Sequence, residues 1–161
     1  MRGDHGFTLV ELVVVLIVIG ILAVAVVPSM TGLKGFNEAG FRDAVKASIA
    51  FARKSAVAQR RNVHVALAAN ALTFTIDNDV PDGAGAGLHP RSLILPSVSS
   101  SCGSGGASNV VCAPSGITLT GTNALDFTPL GQLLSGSAAT LTIAGQSSYS
   151  LTVEAETGYV H

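Results

Sequence analysis

The chain has few charged residues, few aromatic residues and no tryptophan. Charged residues make up 12% of its 161 positions and aromatic residues 5%, and the formal net charge is −1. A net charge so close to zero gives no global basic field that would recruit nucleic acid. Small residues dominate instead, which suits β-structure and permissive loops, and the length allows one soluble domain of ordinary size.

Motifs of catalytic and metal sites are also lacking. Gly83–Gly87 alternates Gly and Ala but does not link a strand to a helix, so it does not read as a phosphate cradle. The serines lack a G-x-S-x-G elbow. No HExxH or close cluster of metal ligands includes the four histidines, which are His5, His64, His89 and His161. The sequence therefore predicts no enzyme, no cofactor and no small-molecule substrate.

One turn is a weak candidate for calcium. Asp77, Asp79 and Asp82 lie within seven residues and could supply oxygen ligands. Their spacing misses the EF-hand pattern, and the terminal Glu of that pattern is absent. A solvated turn is the favoured interpretation, and we predict no metal site.

The longest hydrophobic run in the chain begins beside an acid. Every residue from Leu12 to Val27 is apolar or Gly, and Glu11 stands at the start of the run. The window from Phe7 to Val27 reaches the ~20 residues of a membrane span, where a carboxylate costs ~2.5 kcal/mol or more. An acid there points to a function that requires a partner.

The alternative for this segment is a conventional signal peptide of a secreted periplasmic protein. Ala23–Ala25 offers an A-x-A cleavage site, which would leave a mature chain beginning at Val26. Against this, the leader has no net charge because Asp4 offsets Arg2, and an apolar signal region has no use for an acid.

Gly6-Phe7-Thr8-Leu9-Val10-Glu11, followed by the apolar run, resembles the N-terminus of type IV pilins and type II secretion pseudopilins. The resemblance implies that a prepilin peptidase cuts between Gly6 and Phe7 and that the new Phe7 amine is N-methylated. It implies further that Glu11 pairs with that amine, in its own or a neighbouring subunit, during filament assembly. The chain would be a single-pass protein of the bacterial inner membrane with a periplasmic C-terminal domain, and would then join a pilus or pseudopilus with other pilins.

This interpretation divides the chain into four segments. They are a leader at 1–6, a transmembrane half-helix at 7–28, an amphipathic periplasmic half-helix at 29–61 and a β-rich globular domain at 62–161. Pro28 is expected to kink the helix. Gly32, Gly35 and Gly40 are expected to loosen the segment after it.

Beyond Gly40 a helical stripe and a basic flank are apparent. The stripe consists of apolar residues at helical spacing, namely Phe41, Val45, Ile49, Ala52 and Ala56. The flank consists of Arg42, Lys46, Arg53 and Arg60. It is either an ordinary solvated edge or a contact surface for acidic partners or DNA. No aromatic residues interleave it, which weakens the nucleic-acid alternative.

Charge is unevenly distributed between the two parts of the chain. Residues 31–61 carry a local net charge of +5, and residues 62–161 one of −5. Such opposite fields suit head-to-tail packing of subunits or a helix docked on its own domain.

From Asn62 the apolar period becomes two, which predicts antiparallel strands. Val63–Leu67 and Leu72–Ile76 should form a hairpin with a turn at Ala69–Ala71. Further short strands are predicted at Arg91–Leu95, Val110–Cys112, Gly116–Thr120, Ala124–Thr128, Gly131–Leu134, Ala139–Ala144, Tyr149–Ala155 and Gly158–Val160. The fold class is thus α+β, a long N-terminal helix packed on an antiparallel sheet or sandwich.

The two cysteines, Cys102 and Cys112, are favoured as a disulfide in an exported domain, with free thiols as the alternative. Closing so short a loop would stabilise the domain by about 2–3 kcal/mol.

The distal part resembles a subgroup of this family. Phe51–Val65, Leu125–Gly131 and Val153–Val160 are similar to segments of the H-type minor pseudopilins and related minor pilins (the GspH/FimT family). The ending is also similar to a minor pilin of mannose-sensitive haemagglutinin-type pili. The resemblance implies a structural filament subunit, with a DNA-binding minor pilin for DNA uptake as an alternative. Secretion, twitching, adhesion and uptake systems share this N-terminus, so the sequence does not choose among them.

Overall fold

A computed structural model describes residues 8–26, 29–78, 90–96, 102 and 108–161, with only the backbone at 23–26, 29–36 and 90. The chain divides into two compact units between Phe36 and Asn37.

Helix α1, in the first unit, spans Leu9–Val26. Its side chains from Leu9 to Leu22 are all exposed, and the large apolar ones range from 44% exposed at Val13 to 78% at Leu9. No helix in the described part of the chain combines the length and apolarity of a membrane span. The kink expected at Pro28 lies outside the described residues.

Helix α2 spans Ser29–Gln59. The loosening expected at Gly32, Gly35 and Gly40 is wrong, because the backbone is helical throughout. Each glycine costs only about 1 kcal/mol relative to Ala, and such a preference is readily overridden by context. In the second unit the whole predicted stripe is buried, from Phe41 at 5% exposure to Ala56 at 0%.

The end of α2 is set by a left-handed residue. Arg60 has φ 52°, and the Arg61 N–H donates to the Ala56 carbonyl at 3.1 Å. A bond of this kind across a left-handed residue is the Schellman ending, which satisfies a terminal carbonyl and turns the chain away from the helix axis. The chain thereby enters the first strand within three residues.

The first sheet has five antiparallel strands. In chain order they are β1 Val63–Ala68, β2 Ala71–Asp77, β3 Pro90–Ser92, β4 Val110–Cys112 and β6 Ala124–Phe127. The strand order is β3-β2-β1-β6. Strand β4 also pairs with β2, opposite residues Ala71 to Thr73. The predicted hairpin is present, with a two-residue turn in which Ala69 and Asn70 have φ 48° and 62°. Positive φ at both positions matches the twist of the strands they join.

The second sheet has three antiparallel strands in the order β5-β7-β8. They are β5 Thr118–Gly121, β7 Ala139–Ala144 and β8 Ser148–Val153. Predicted strands at Gly131–Leu134 and Gly158–Val160 are wrong, because each provides only one bridging residue, Leu133 and Val160. Gly131 and Gly158 have φ 81° and 61°, which are turn conformations that interrupt a ladder.

A single hydrophobic core joins α2 to the inner faces of both sheets. Alternate residues of each long strand are buried, among them Phe74 of β2, Phe127 of β6 and Ile143 of β7 at 0% exposure. The predicted α+β class, a helix packed on antiparallel sheets, is confirmed. In addition, the Asn70 side chain accepts a hydrogen bond from the Leu119 N–H of β5 at 3.1 Å, which ties the first hairpin to the second sheet. Cys102 and Cys112 form a disulfide.

A buried carboxylate fastens α2 to the turn between β7 and β8. Glu38 is 2% exposed and accepts hydrogen bonds from the backbone N–H groups of Gln146 and Ser147, the latter at 3.0 Å. A Cβ on Gly145 would collide with this carboxylate, so a larger residue there would displace Glu38 from the turn. Hydrogen bonds to a charged group are stronger than neutral ones, which makes this contact an anchor for the hairpin.

We predict that Glu38→Ala and Gly145→Ala each lower the free energy of unfolding by about 1–3 kcal/mol, because each removes the same anchor. The double variant should lose less than the sum of the two, since neighbouring sites in one contact are not independent. Urea unfolding of the full chain in detergent micelles measures all three. Strict additivity would contradict a shared anchor.

Candidate functional site

The start of α1 is fixed by a side-chain cap. The Thr8 hydroxyl accepts a hydrogen bond from the Glu11 N–H at 3.3 Å, and the Thr8 carbonyl accepts one from the Leu12 N–H at 3.2 Å. A Thr followed three residues later by Glu is the capping-box spacing, and it satisfies N–H groups that have no partner within the helix. The sequence reasoning missed this role of Thr8, although the spacing signals it.

Glu11 lies in the first turn of α1 and is exposed. A negative charge there is favoured by the helix dipole. Gly6 and Phe7, the predicted cleavage and methylation residues, lie outside the described residues. Among the ion pairs of the described part, none includes Glu11. Its carboxylate is therefore placed at the head of the exposed apolar helix and is accessible to a cation.

The four residues of the predicted basic flank, Arg42, Lys46, Arg53 and Arg60, have different surroundings. Arg42 donates hydrogen bonds to its neighbour Asp43 at 2.8 and 2.9 Å and lies over the ring of Tyr149, 5.2 Å from its centroid. Arg60 is in the left-handed turn that ends the helix. Lys46 and Arg53 instead come together on one side of α2.

Lys46 and Arg53 line a cavity of about 470 Å³ between α2 and the last residues of the chain. We call it the C-terminal groove; its walls are Asp43, Lys46, Ala47, Ala50, Arg53 and Lys54 on the helix and Gly158, Tyr159 and Val160 opposite. The sequence reasoning missed Lys54 and Tyr159 as members of this surface. A chain return near Val153–Val160 was predicted, but the packing of Tyr159 beside the helix depends on residues distant in sequence.

A second polar cluster crosses the first sheet. His64 on β1 contacts Asp126 of β6 through Nδ1 at 2.8 Å and Asp77 of β2 through Nε2 at 2.9 Å. Asp77 is 3% exposed, and its backbone carbonyl accepts a hydrogen bond from Arg61 at 3.1 Å. The imidazole thus links three neighbouring strands on the face away from the core. Sequence analysis did not bring these three residues together.

This cluster bears on the predicted calcium candidates. Asp77 contacts His64, and Asp79 and Asp82 lie outside the described residues. Within the described ranges no group of three or more His, Cys, Asp or Glu side chains is arranged to hold a metal ion. The two carboxylates bind opposite nitrogens of one ring, so they do not converge on a common point.

The carboxylates determine the protonation of His64. Burial favours the neutral ring, but the hydrogen bonds to Asp126 and Asp77 and the charges of both carboxylates outweigh it, so the pKa of His64 is raised above its ordinary 6.5. A folded-state pKa above the unfolded value means that the charged ring stabilises the fold. That contribution is complete below pH 6.5 and is lost as pH rises through the raised pKa.

We predict that the wild-type chain loses stability as pH rises above 6.5 through the raised pKa of His64, whereas His64→Gln, which cannot titrate, lacks this loss. The measurement is the free energy of unfolding at several pH values, with both chains in the same buffers. Parallel pH profiles for the two chains would exclude an imidazolium bridge.

The comparisons with known proteins agree with the N-terminal motif and the fold. Residues 1–27 match the family described as the prokaryotic N-terminal methylation motif. A crystal structure of the type IV minor pilin FimU of Pseudomonas aeruginosa is similar at TM-score 0.50 and 17% identity, over 80% of this chain and 89% of that one. The minor pseudopilin EpsH of the Vibrio cholerae Type 2 Secretion System is similar at TM-score 0.49 and 13% identity, over 80% and 93%. No curated protein sequence matches the chain.

The helix packed on antiparallel sheets is a pilin-like fold. The fold is similar to that of the minor pilin FimU, and the N-terminal residues carry the methylation motif.

Proposed function

We propose that the chain is a structural minor subunit of a type IV pilus or type II secretion pseudopilus. The observation that carries the proposal is the arrangement of the N-terminus. The match to the methylation motif spans residues 1–27 and contains a capped helix whose apolar side chains are all exposed from Leu9 to Leu22. Apolar surface on this scale is unfavourable in water and calls for lipid or like helices around it.

In this proposal residues 1–6 are a leader that a prepilin peptidase removes, and the Phe7 amine is then N-methylated. Residues 7–28 anchor the chain in the bacterial inner membrane, 29–61 carry the helix into the periplasm, and 62–161 form the β-rich domain. The anchor is supported by the apolar sequence from Leu12 to Val27. The chain acts by assembly, and no catalytic role is proposed.

Glu11 is the proposed assembly residue. An isolated carboxylate in hydrocarbon costs ~2.5 kcal/mol or more, and a cation at short distance offsets much of that penalty. The Phe7 amine of a neighbouring subunit would supply the cation as apolar helices pack together. The pair would then fix the axial register of subunits, because apolar surfaces alone are not directional.

We predict that Gly6→Asp blocks cleavage, since it places a charged side chain at the residue before the cut. The variant should appear on a gel as the full-length precursor, and N-terminal sequencing of the wild-type mature chain should begin at Phe7. A mature chain beginning at Val26 would instead establish a conventional signal peptide and contradict the proposal.

For Glu11→Leu we predict normal cleavage but incorporation into sheared filaments reduced at least about tenfold, consistent with a buried charge pair of more than ~1.4 kcal/mol. Glu11→Asp, which keeps the charge on a shorter side chain, is the matched control and should retain more incorporation. Equal filament levels for the wild-type and Glu11→Leu chains would refute the charge pair.

A further inference from the structure

We propose that the C-terminal groove binds an acidic segment of a neighbouring filament subunit, with Arg53 receiving a carboxylate. This inference rests on the proposed function as a filament subunit. It concerns a surface separate from the N-terminal motif, formed wholly within the second compact unit.

The first observation is that Arg53 is held in place. A Cβ on Gly131 would lie 3.2 Å from the Arg53 Nε, and one on Gly158 would lie 3.0 Å from its Cδ, so two glycine turns pack closely on this side chain. Both glycines have positive φ. A guanidinium on a fixed stem loses little conformational entropy when it binds, which favours recognition of a planar carboxylate.

The second observation is that this cation lacks an anion. Its Nε is buried without a hydrogen-bond acceptor, and no ion pair of the described residues includes Arg53, Lys46 or Lys54. Asp43 is the acid in the groove wall, and it is already paired with Arg42 at 2.8 Å. A partly desolvated cation without a partner is unfavourable, and a carboxylate from outside the chain would offset that cost.

The third observation identifies the partner as protein. Aliphatic side chains beside the groove are exposed, with Leu130 at 79% and Val57 at 45%. A Cβ on Gly131, next to Leu130, would lie 3.1 Å from Val57, which places this apolar pair beside Arg53. Arginine is enriched at protein interfaces, and an exposed apolar pair beside it favours a protein partner.

The charge beyond the groove argues against a nucleic acid. Gly158, in the groove wall, donates a backbone hydrogen bond to Glu154 at 2.9 Å, and the Glu154 side chain is half exposed. Glu156 is exposed in the same turn. A continuous phosphate backbone would meet these carboxylates, whereas a short segment with one or two acids can enter the groove alone.

The direct test is fluorescence anisotropy of the full chain in detergent micelles with a labelled peptide of alternating Glu and Leu. Its counterpart with Gln in place of Glu should bind at least about tenfold more weakly. Arg53→Gln should weaken binding of the Glu peptide by a similar factor. Because the Arg53 stem is part of the packing, the double variant Lys46→Gln/Lys54→Gln provides a second test that leaves that packing intact.

Arg60→Gln is the matched control for Arg53→Gln, because it removes one positive charge just after the end of α2 and outside the groove wall. It should change the affinity by less than about twofold. Equal losses for Arg60→Gln and the groove variants would overturn the proposal, as would equal affinity for the Glu and Gln peptides. Tighter binding of a single-stranded oligonucleotide, lost in the same groove variants, would overturn it in favour of a nucleic-acid site.

The filament gives an independent measurement. A carbodiimide couples carboxylates to lysine amines in contact, so treated fibres should contain cross-linked products that disappear in Lys46→Gln/Lys54→Gln. Absence of the chain from fibres would contradict the proposed function. Presence in fibres without any cross-link that depends on these lysines would contradict the groove inference alone.

Discussion

The second compact unit depends on one buried stripe of α2. Phe41, Val45, Ile49, Ala52 and Ala56 pack into a core that both sheets share, so the sheets are joined through the helix as well as to one another. Burial of apolar surface is the dominant favourable term in folding, and α2 is the element that both sheets require. The polar anchors act on this frame, since Glu38 fixes the hairpin of the second sheet and Asn70 links the two sheets.

A helix that buries one stripe must present its remaining faces to solvent or to a partner. On α2 those faces carry most of the positive charge of the chain. Some of these positive side chains have a described acidic partner and others do not. Arg42 is paired with Asp43 and lies over the ring of Tyr149, whereas Lys46, Arg53 and Lys54 line the groove and form no ion pair with a described side chain.

The sequence predicted the features that depend on neighbouring residues. The stripe of α2 and the hairpin from Val63 to Asp77 follow from apolar periods of 3.6 and 2, and both are present. Features set by distant pairing were not predicted. The His64 cluster requires the register that places Asp126 directly opposite His64, and the groove requires Gly131 and Gly158 to meet at Arg53. The strands predicted at those glycines were wrong because the positive φ of Gly131 and Gly158 makes turns. These turns pack closely on Arg53.

Two parts of the chain carry exposed apolar side chains beside a charged group that has no partner among the described residues of an isolated molecule. On α1 it is a row of exposed aliphatic side chains headed by a carboxylate, and on α2 it is a fixed guanidinium beside exposed Leu130 and Val57. Natural chains tolerate such features where assembly removes them, because apolar exposure and unpaired charge otherwise only cost free energy. The two surfaces differ in kind. Aliphatic α1 gains from any apolar surroundings, whereas the groove selects a partner by charge, so in the proposed filament the first would provide cohesion and the second would choose the neighbour.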